Sequence, residues 1–147
     1  KWVKDLGENF DTFISIPTTS PLRNENDIIK CLEAFDKNTD AVIAIAEALR
    51  NPYFNMVKRD NNGFLKVVLE PEFKITRRQD TPKIFDVTTV AYVSRPDYII
   101  NCKNLFEGNV KGVEISAARA LDIDTELDFE IAEALMSRKL RLDKDFK

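Results

Sequence analysis

The sequence predicts an α/β domain with a mostly parallel sheet, on the evidence of its size and of two strand patterns separated by a helix pattern. At 147 residues the chain is long enough for one core and short for two domains. Residues 12–16 and 41–46 are short, mostly apolar and rich in β-branched side chains, like strands buried on both faces. A strand, a helix and a second strand with short connections predict two parallel strands in one sheet.

The opening residues predict an amphipathic helix, because Trp2, Val3, Leu6 and Phe10 recur at helical spacing. The chain starts at Lys1, inside this pattern. We therefore expect it to be the C-terminal part of a longer protein.

The helix between the two strands can be capped by Asn24 or Asn26, and it ends near residues 38–40. Its spacing predicts one buried stripe. The stripe consists of Ile28, Ile29, Leu32 and Phe35. In sheets of this kind, functional loops lie at the carboxyl ends of the strands.

Residues 51–86 predict an antiparallel insert within a single domain that spans 1–147. Strand-like runs at 53–58 and 64–69 flank an Asn-Gly step, which favours the positive φ angles of a hairpin turn. Residues 70–86 are polar and predict a loop.

The remaining pattern predicts a strand at 87–93, a helix at 96–100 that begins with proline, and a final helix from Asp128 onwards. The apolar stripe of the final helix consists of Leu127, Ile131 and Leu135, with Ala134 and Met136 beside it.

Composition excludes several classes of function. The net charge of −3 gives no basic excess, so neither nucleic acid nor a membrane surface is expected as a partner. The longest apolar run, 41–46, is too short to span a membrane. The chain has no histidine, which excludes imidazole from catalysis and from metal binding. Cys31 and Cys102 are far apart in sequence, which fits a reducing cytoplasm better than a zinc site.

Two carboxylates alternate with apolar residues just before the final helix. In an extended segment, Asp122 and Asp124 share one face while Ile123 points to the other. Two close carboxylates repel each other, and a bound Mg²⁺ would convert that repulsion into ligation. The alternative is that the segment only caps the helix, with Thr125 and Asp128 as a capping pair.

Two further segments carry groups suited to anionic ligands. Thr19, Ser20 and Arg23 follow the first strand, where hydroxyl, N–H and guanidinium groups could contact a nucleotide. The alternative is a Ser-Pro turn that caps the next helix, with Arg23 paired to an internal carboxylate. The segment with Arg77, Arg78 and Gln79 offers fork-shaped donors for carboxylate or phosphate, and its alternative is a solvated basic loop.

The order of these motifs resembles the acylneuraminate cytidylyltransferase family, which contains the CMP-sialic acid synthetases and relatives that act on other nonulosonic acids. The resemblance rests on residues 17–23, 77–82, 90–93 and 122–128 and covers nearly the whole chain. It implies a Rossmann-like nucleotide-diphospho-sugar transferase fold. It also implies a homodimer in which the insert reaches towards the partner's active site.

The resemblance further implies a reaction. The anomeric hydroxyl of a sialic-acid-like 2-keto sugar acid attacks the α-phosphorus of CTP, and pyrophosphate leaves. Asp122 and Asp124 are implied to hold Mg²⁺, and Arg78 and Gln79 to orient the sugar acid with help from Arg77. The loop that contains Thr19, Ser20 and Arg23 is implied to form the floor between nucleotide and sugar.

The chain departs from the family pattern in three places. Its four glycines do not form the Gly-rich phosphate loop with which the family opens. We therefore expect this chain to lack the N-terminal strands, to be inactive alone, and to expose residues 13–16 as a sheet edge. Pro17 stands where the family commonly has glutamine, and residues 88–89 are Thr-Thr where it has Asn-Gly.

Two other functions stay open at the level of sequence. One is a noncatalytic dimerisation or regulatory module that keeps the fold without the reaction. The other is a nucleotide-sugar pyrophosphorylase for a different base, which competition between CTP and UTP would distinguish.

Overall fold

The structure is a computed structural model that describes residues 10–71 and 77–145, with side chains described as far as Lys139. The predicted opening helix lies outside the described residues except for Phe10, which is not helical. The described chain has six strands and three α-helices. In chain order they are β1 (Phe13–Ser15), α1 (Glu25–Ala34), β2 (Ala41–Glu47), β3 (Val57–Arg59), β4 (Leu65–Val67), β5 (Phe85–Ser94), α2 (Pro96–Asn101), β6 (Val110–Glu114) and α3 (Glu126–Asp145).

The chain divides into two compact units. The first consists of Lys1–Ala46 with Val87–Lys147, and the second is Glu47–Asp86. Among the described residues, no helix is both long and apolar enough to cross a membrane.

The first unit is built on a four-stranded sheet in the order β1-β5-β2-β6. β1 pairs antiparallel with β5, and β2 pairs parallel with β6. The N–H of Arg95 donates to the Asp40 carbonyl and the Thr88 hydroxyl donates to the Ala44 carbonyl. Residue numbers rise along β2 as they fall along β5, so these two strands are antiparallel. Three strands of the sheet therefore share one direction, and β5 opposes them.

The prediction that β1 is a buried strand was wrong. β5 lies between β1 and β2, and β1 is an edge strand among the described residues. Ile14 and Ile16 are 37% and 46% exposed. The edge position agrees with the expectation for residues 13–16. An isolated apolar run cannot reveal which strand pairs with it, because that pairing involves residues far along the chain.

The core lies where α1 covers β2 and β5. Its buried members are Cys31, Val42, Ala44, Val90, Ala91, Val93 and Ile115. Helix α1 begins at the predicted cap, Asn24, but it buries Asp27 and Cys31, which lie one turn apart. Ile29 and Leu32 are exposed instead, so the predicted stripe was wrong at these positions.

Helix α3 begins two residues before the predicted start and also presents a different face. Ala132 is buried and Met136 is half-buried, whereas the three residues of the predicted stripe are exposed. Those residues are Leu127, Ile131 and Leu135.

The second unit contains the predicted hairpin. β3 and β4 are antiparallel, with Val57 opposite Val67. The connecting turn ends at Gly63, whose φ of 90° explains the glycine. The Asp60 side chain accepts hydrogen bonds from the N–H groups of Asn62 and Phe64. A short 3-10 turn, Arg78–Asp80, lies in the segment predicted to be a loop.

Candidate functional site

The loop after β1 and the segment before α3 meet in the first unit. The N–H of Ile123 donates to the Thr19 carbonyl at 2.9 Å. The two motifs lie far apart in the sequence, and this hydrogen bond places them side by side.

The loop after β1 is held by contacts to β5. The hydroxyl oxygens of fully buried Ser20 and of Thr89 lie 2.6 Å apart. The Arg23 guanidinium donates to the Val90 carbonyl at 2.9 Å and to the Pro17 carbonyl. Ser20 and Arg23 therefore fix the shape of the loop from within.

Arg23 keeps its positive charge in this environment. Burial lowers the pKa of its guanidinium, and the two carbonyl acceptors match a cation. The Arg23 guanidinium binds carbonyl oxygens, and it pairs with no carboxylate within residues 10–71 and 77–139.

Asp122 carries the feature of the site that points most directly to a ligand. Its Oδ1 atom is buried and has no hydrogen-bond partner among the described residues. A buried carboxylate oxygen without a partner is costly, and such an atom in a native protein calls for an ion or another missing partner. Burial raises the pKa of Tyr92, and the charge of Asp122 raises it further, so the hydroxyl of Tyr92 stays protonated beside this carboxylate. Asp124 is exposed.

The capping role belongs to Thr125 and Asp128. The Asp128 carboxylate accepts from the N–H of Thr125 at 2.8 Å and from its hydroxyl at 2.7 Å. The N–H of Asp128 lies 3.3 Å from the Thr125 hydroxyl oxygen. These hydrogen bonds, from the Thr125 hydroxyl first, lower the pKa of Asp128. In the described part of the chain, the hydrogen bonds of this cap involve neither the carboxylate of Asp122 nor that of Asp124.

The donor set suits Mg²⁺ bound together with a substrate. Within the described parts of the chain, no three Asp, Glu, Cys or His residues gather into a metal cluster. Mg²⁺ commonly takes one or two carboxylates and completes its shell with water and substrate phosphates. Asp122 and Asp124, with the unpartnered oxygen of Asp122, fit that pattern.

The second unit contains a cleft of about 360 Å³. Arg78 and Gln79 line it, together with Lys83 and Glu47. The Arg78 guanidinium donates to the Leu49 carbonyl at 3.2 Å, which holds the 3-10 turn beside the cleft. The cleft therefore presents two cations, an amide and one carboxylate to a polar ligand.

Asn51 is a buried residue of this cleft that sequence reasoning missed. Its amide donates to the Thr81 hydroxyl and to the Pro82 carbonyl, both at 3.0 Å. Its side-chain oxygen, Oδ1, accepts from the N–H of Tyr53. The contact with Tyr53 is a local Asx turn, which an asparagine in a turn favours. The contacts with residues 81 and 82 could not be predicted from the sequence, because the fold brings them to Asn51 from about thirty residues away.

The predicted site residues fall into two groups. Within the first unit, Thr19 is joined to the segment of Asp122 and Asp124, and Ser20 and Arg23 brace the same loop. Within the second unit, Arg78 and Gln79 share one cleft, while Arg77 is exposed and precedes the 3-10 turn.

The known proteins that are similar in sequence to this chain include two from Campylobacter. A post-translational flagellin modification protein B from Campylobacter coli is 36% identical over 138 residues, which cover 93% of this chain and 57% of that protein. A CMP-N,N'-diacetyllegionaminic acid synthase from Campylobacter jejuni is 40% identical over 105 residues, or 71% of this chain and 43% of that protein. The chain therefore spans roughly half the length of these relatives. No family model matches it.

The fold is shared with a crystal structure of 4-diphosphocytidyl-2C-methyl-D-erythritol synthase from Anaerococcus prevotii. The TM-score is 0.57 at 13% identity, over 92% of this chain and 64% of that one. The sequence similarities confirm the resemblance to CMP-nonulosonic acid synthetases, and the structural similarity confirms the Rossmann-like α/β fold.

Proposed function

We propose that this chain, which resembles the CMP-nonulosonic acid synthetases, is part of a cytidylyltransferase that makes a CMP-sugar from CTP. The observation that carries the proposal is the buried, unpartnered Oδ1 of Asp122, beside the loop of Thr19, in a chain 40% identical to a CMP-N,N'-diacetyllegionaminic acid synthase. The acceptor is a sialic-acid-like 2-keto sugar acid.

The reaction joins the anomeric oxygen of the sugar acid to the α-phosphorus of CTP. The bond between that phosphorus and the bridging oxygen breaks, pyrophosphate leaves, and the hydroxyl proton passes to solvent or a nearby base. Asp122 and Asp124 would hold Mg²⁺, which when bound offsets the negative charge of the phosphates.

The protein's own contribution is to position the reactants. The contacts of Ser20 and Arg23 fix the loop after β1, so its remaining polar groups meet a nucleotide without first becoming ordered. Arg78 and Gln79 orient the carboxylate of the sugar acid, because a guanidinium fork matches a carboxylate in two parallel hydrogen bonds. Arg77 assists them.

The partner of the complete protein is a second copy, which contacts the β3–β4 hairpin. Val57, Phe64 and Leu65 on this hairpin are 53%, 68% and 63% exposed. Exposed apolar side chains grouped on one hairpin mark an interaction surface. Changing Phe64 and Leu65 to serine should shift the mass measured by light scattering from dimer to monomer. An unchanged mass would contradict the dimer surface.

The reaction belongs in the cytoplasm. Both cysteines, Cys31 and Cys102, are free thiols, as in a reducing compartment.

The noncatalytic module is the second candidate. It would not require a carboxylate oxygen to be held buried and unpartnered at Asp122, which is the reason to prefer the enzyme.

The test is pyrophosphate release by the full-length protein with CTP, Mg²⁺ and a panel of nonulosonic acids, with Asp122→Asn as the inactive control. The 147-residue chain is assayed alongside. Release that depends on one sugar acid and on Asp122 supports the proposal. No release across the panel, together with no CTP binding, would favour the noncatalytic module. Equal use of UTP would favour the other pyrophosphorylase.

A further inference from the structure

An ion pair joins α1 to the turn that follows β6. The Arg119 guanidinium donates to Asp27 through Nε at 2.8 Å to Oδ2 and through Nη2 at 2.9 Å to Oδ1. Asp27 is 1% exposed. It also belongs to a capping box, in which its carboxylate accepts from the N–H of Asn24 at 3.0 Å. The two-pronged geometry fixes both the direction and the distance of the turn from α1.

Along the sequence, the ion pair of Arg119 lies before Asp122 and the hydrogen bond of Ile123 lies directly after it. Arg119 ends the 3-10 turn Ala117–Arg119, and the N–H of Ile123 is bonded to the Thr19 carbonyl. Only residues 120–122 lie between these two anchored points. A segment this short with both ends fixed has few backbone conformations, so the anchors set the position from which the Asp122 side chain extends.

Such anchoring is needed because the position of Asp122 is unfavourable without a ligand. Its Oδ1 is buried and unpartnered, and a loose segment would turn the carboxylate out to water. We infer that Asp27 and Arg119 are positioning residues that hold Asp122 in its cation-binding position. The inference rests on the proposed function.

A purely structural role is the alternative. A buried ion pair is by itself weak evidence for stability, although removing one partner is destabilising. The test must therefore measure cation binding separately from folding. Mn²⁺ is a suitable probe, because electron paramagnetic resonance reports the free ion directly.

The experiment compares full-length wild-type protein with Asp122→Asn, Arg119→Lys, Asp27→Asn and Ile43→Val. Ile43 is 1% exposed on β2, so its truncation controls for a general loss of stability. Arg119→Lys keeps the charge and loses the fork. We expect Asp122→Asn to remove Mn²⁺ binding. We expect both ion-pair variants to weaken it about tenfold, the lower end for residues that support metal ligands, with Ile43→Val unchanged.

Each other outcome overturns the inference in a recognisable way. If Asp122→Asn removes binding and the two ion-pair variants bind like wild type, the pair is not a positioning device and the proposed metal site stands. If Ile43→Val weakens binding as much at a similar melting temperature, the pair only stabilises the fold. If Asp122→Asn binds Mn²⁺ like wild type, the metal site itself is wrong. Should Arg119→Lys not fold, Asp27→Asn carries the test.

Discussion

The N–H of Ile123 and the carbonyl oxygen of Thr19 form a hydrogen bond of 2.9 Å that joins the segment before α3 to the loop after β1. Because both groups belong to the backbone, the bond does not depend on the side chains of either segment. The side chains of Asp122 and Asp124 can therefore be substituted without separating the two segments.

Asp122→Asn should lower activity without lowering stability. The substitution removes a negative charge whose Oδ1 is buried without a partner, so the metal-free protein should be as stable as wild type or more stable by about 1 kcal/mol. With Mg²⁺ and CTP, the melting temperature of wild type should rise and that of the variant should not. Differential scanning calorimetry measures both the stability of the metal-free proteins and the rise in melting temperature with Mg²⁺ and CTP. An equal rise in the two proteins would place the metal elsewhere.

Thr125→Ala should destabilise the protein by about 1 kcal/mol, the usual cost of losing an N-cap side chain. The Thr125 hydroxyl exchanges hydrogen bonds with the carboxylate and the N–H of Asp128 at the start of α3. Urea unfolding measures the change. Thr125→Ser is the matched control and should stay close to wild type, and an equal loss in both variants would argue against the cap.

The parts of the fold that depend on local patterns could be predicted from the sequence. The strand at 41–46, the hairpin around its Asn-Gly step and the proline-started helix α2 are confirmed. Each is determined by residues within a few positions of one another, such as the positive φ of Gly63.

The remainder depends on contacts between distant residues. The burial of Asp27 could not be predicted, because its partner Arg119 comes from the other end of the first unit. The exposure of Ile29 follows from the same contact, since turning Asp27 inward turns Ile29 outward. For the site, the types of residue were readable in sequence, but the unpartnered oxygen of Asp122 was not.

Gly108→Ala should destabilise the protein more than Gly112→Ala. A Cβ atom at Gly108 would lie 2.6 Å from Asp40 Oδ2 and 2.7 Å from Tyr98 Cε2. Hydrogen bonds hold both side chains in place. The Asp40 carboxylate accepts from the N–H of Asn109. The Tyr98 hydroxyl donates to the Leu105 carbonyl and accepts from the N–H of Gly108. We expect a cost of about 1–3 kcal/mol, as for other overpacked sites.

The matched comparison at Gly112 meets a more adaptable neighbour. A Cβ atom there would lie 2.5 Å from Ile45 Cδ1, the end of a side chain that can change rotamer. Urea denaturation of both variants decides the order. A larger loss for Gly112→Ala would show that Asp40 and Tyr98 can move more easily than their hydrogen bonds indicate.

Lys111→Met should reduce the loss of folding stability that wild type shows as the pH falls towards 2. The hydrogen bond from Lys111 at 2.6 Å, assisted by the Thr39 hydroxyl, lowers the pKa of Asp36 to about 2. A lowered pKa contributes stability above the unfolded value of 3.8, and this contribution is lost as the pH falls towards 2. Urea midpoints between about pH 5 and pH 2 should change less in the variant than in wild type. Lys66→Met on the exposed hairpin should keep the wild-type slope, and two equal slopes would contradict the assignment.

The two cysteines should react at very different rates in the folded protein. Burial, and then the charge of Asp27, raises the pKa of the Cys31 thiol to about 11. At pH 8 about a thousandth of it is the reactive thiolate, and its side chain is also out of contact with solvent. Cys102 is half-buried near the end of α2 and should be alkylated first by iodoacetamide, as peptide mass spectrometry would show. In urea both should react. Fast labelling of Cys31 without denaturant would mean that α1 opens readily from β2 and β5, and the Asp27–Arg119 ion pair would then be too transient to position Asp122.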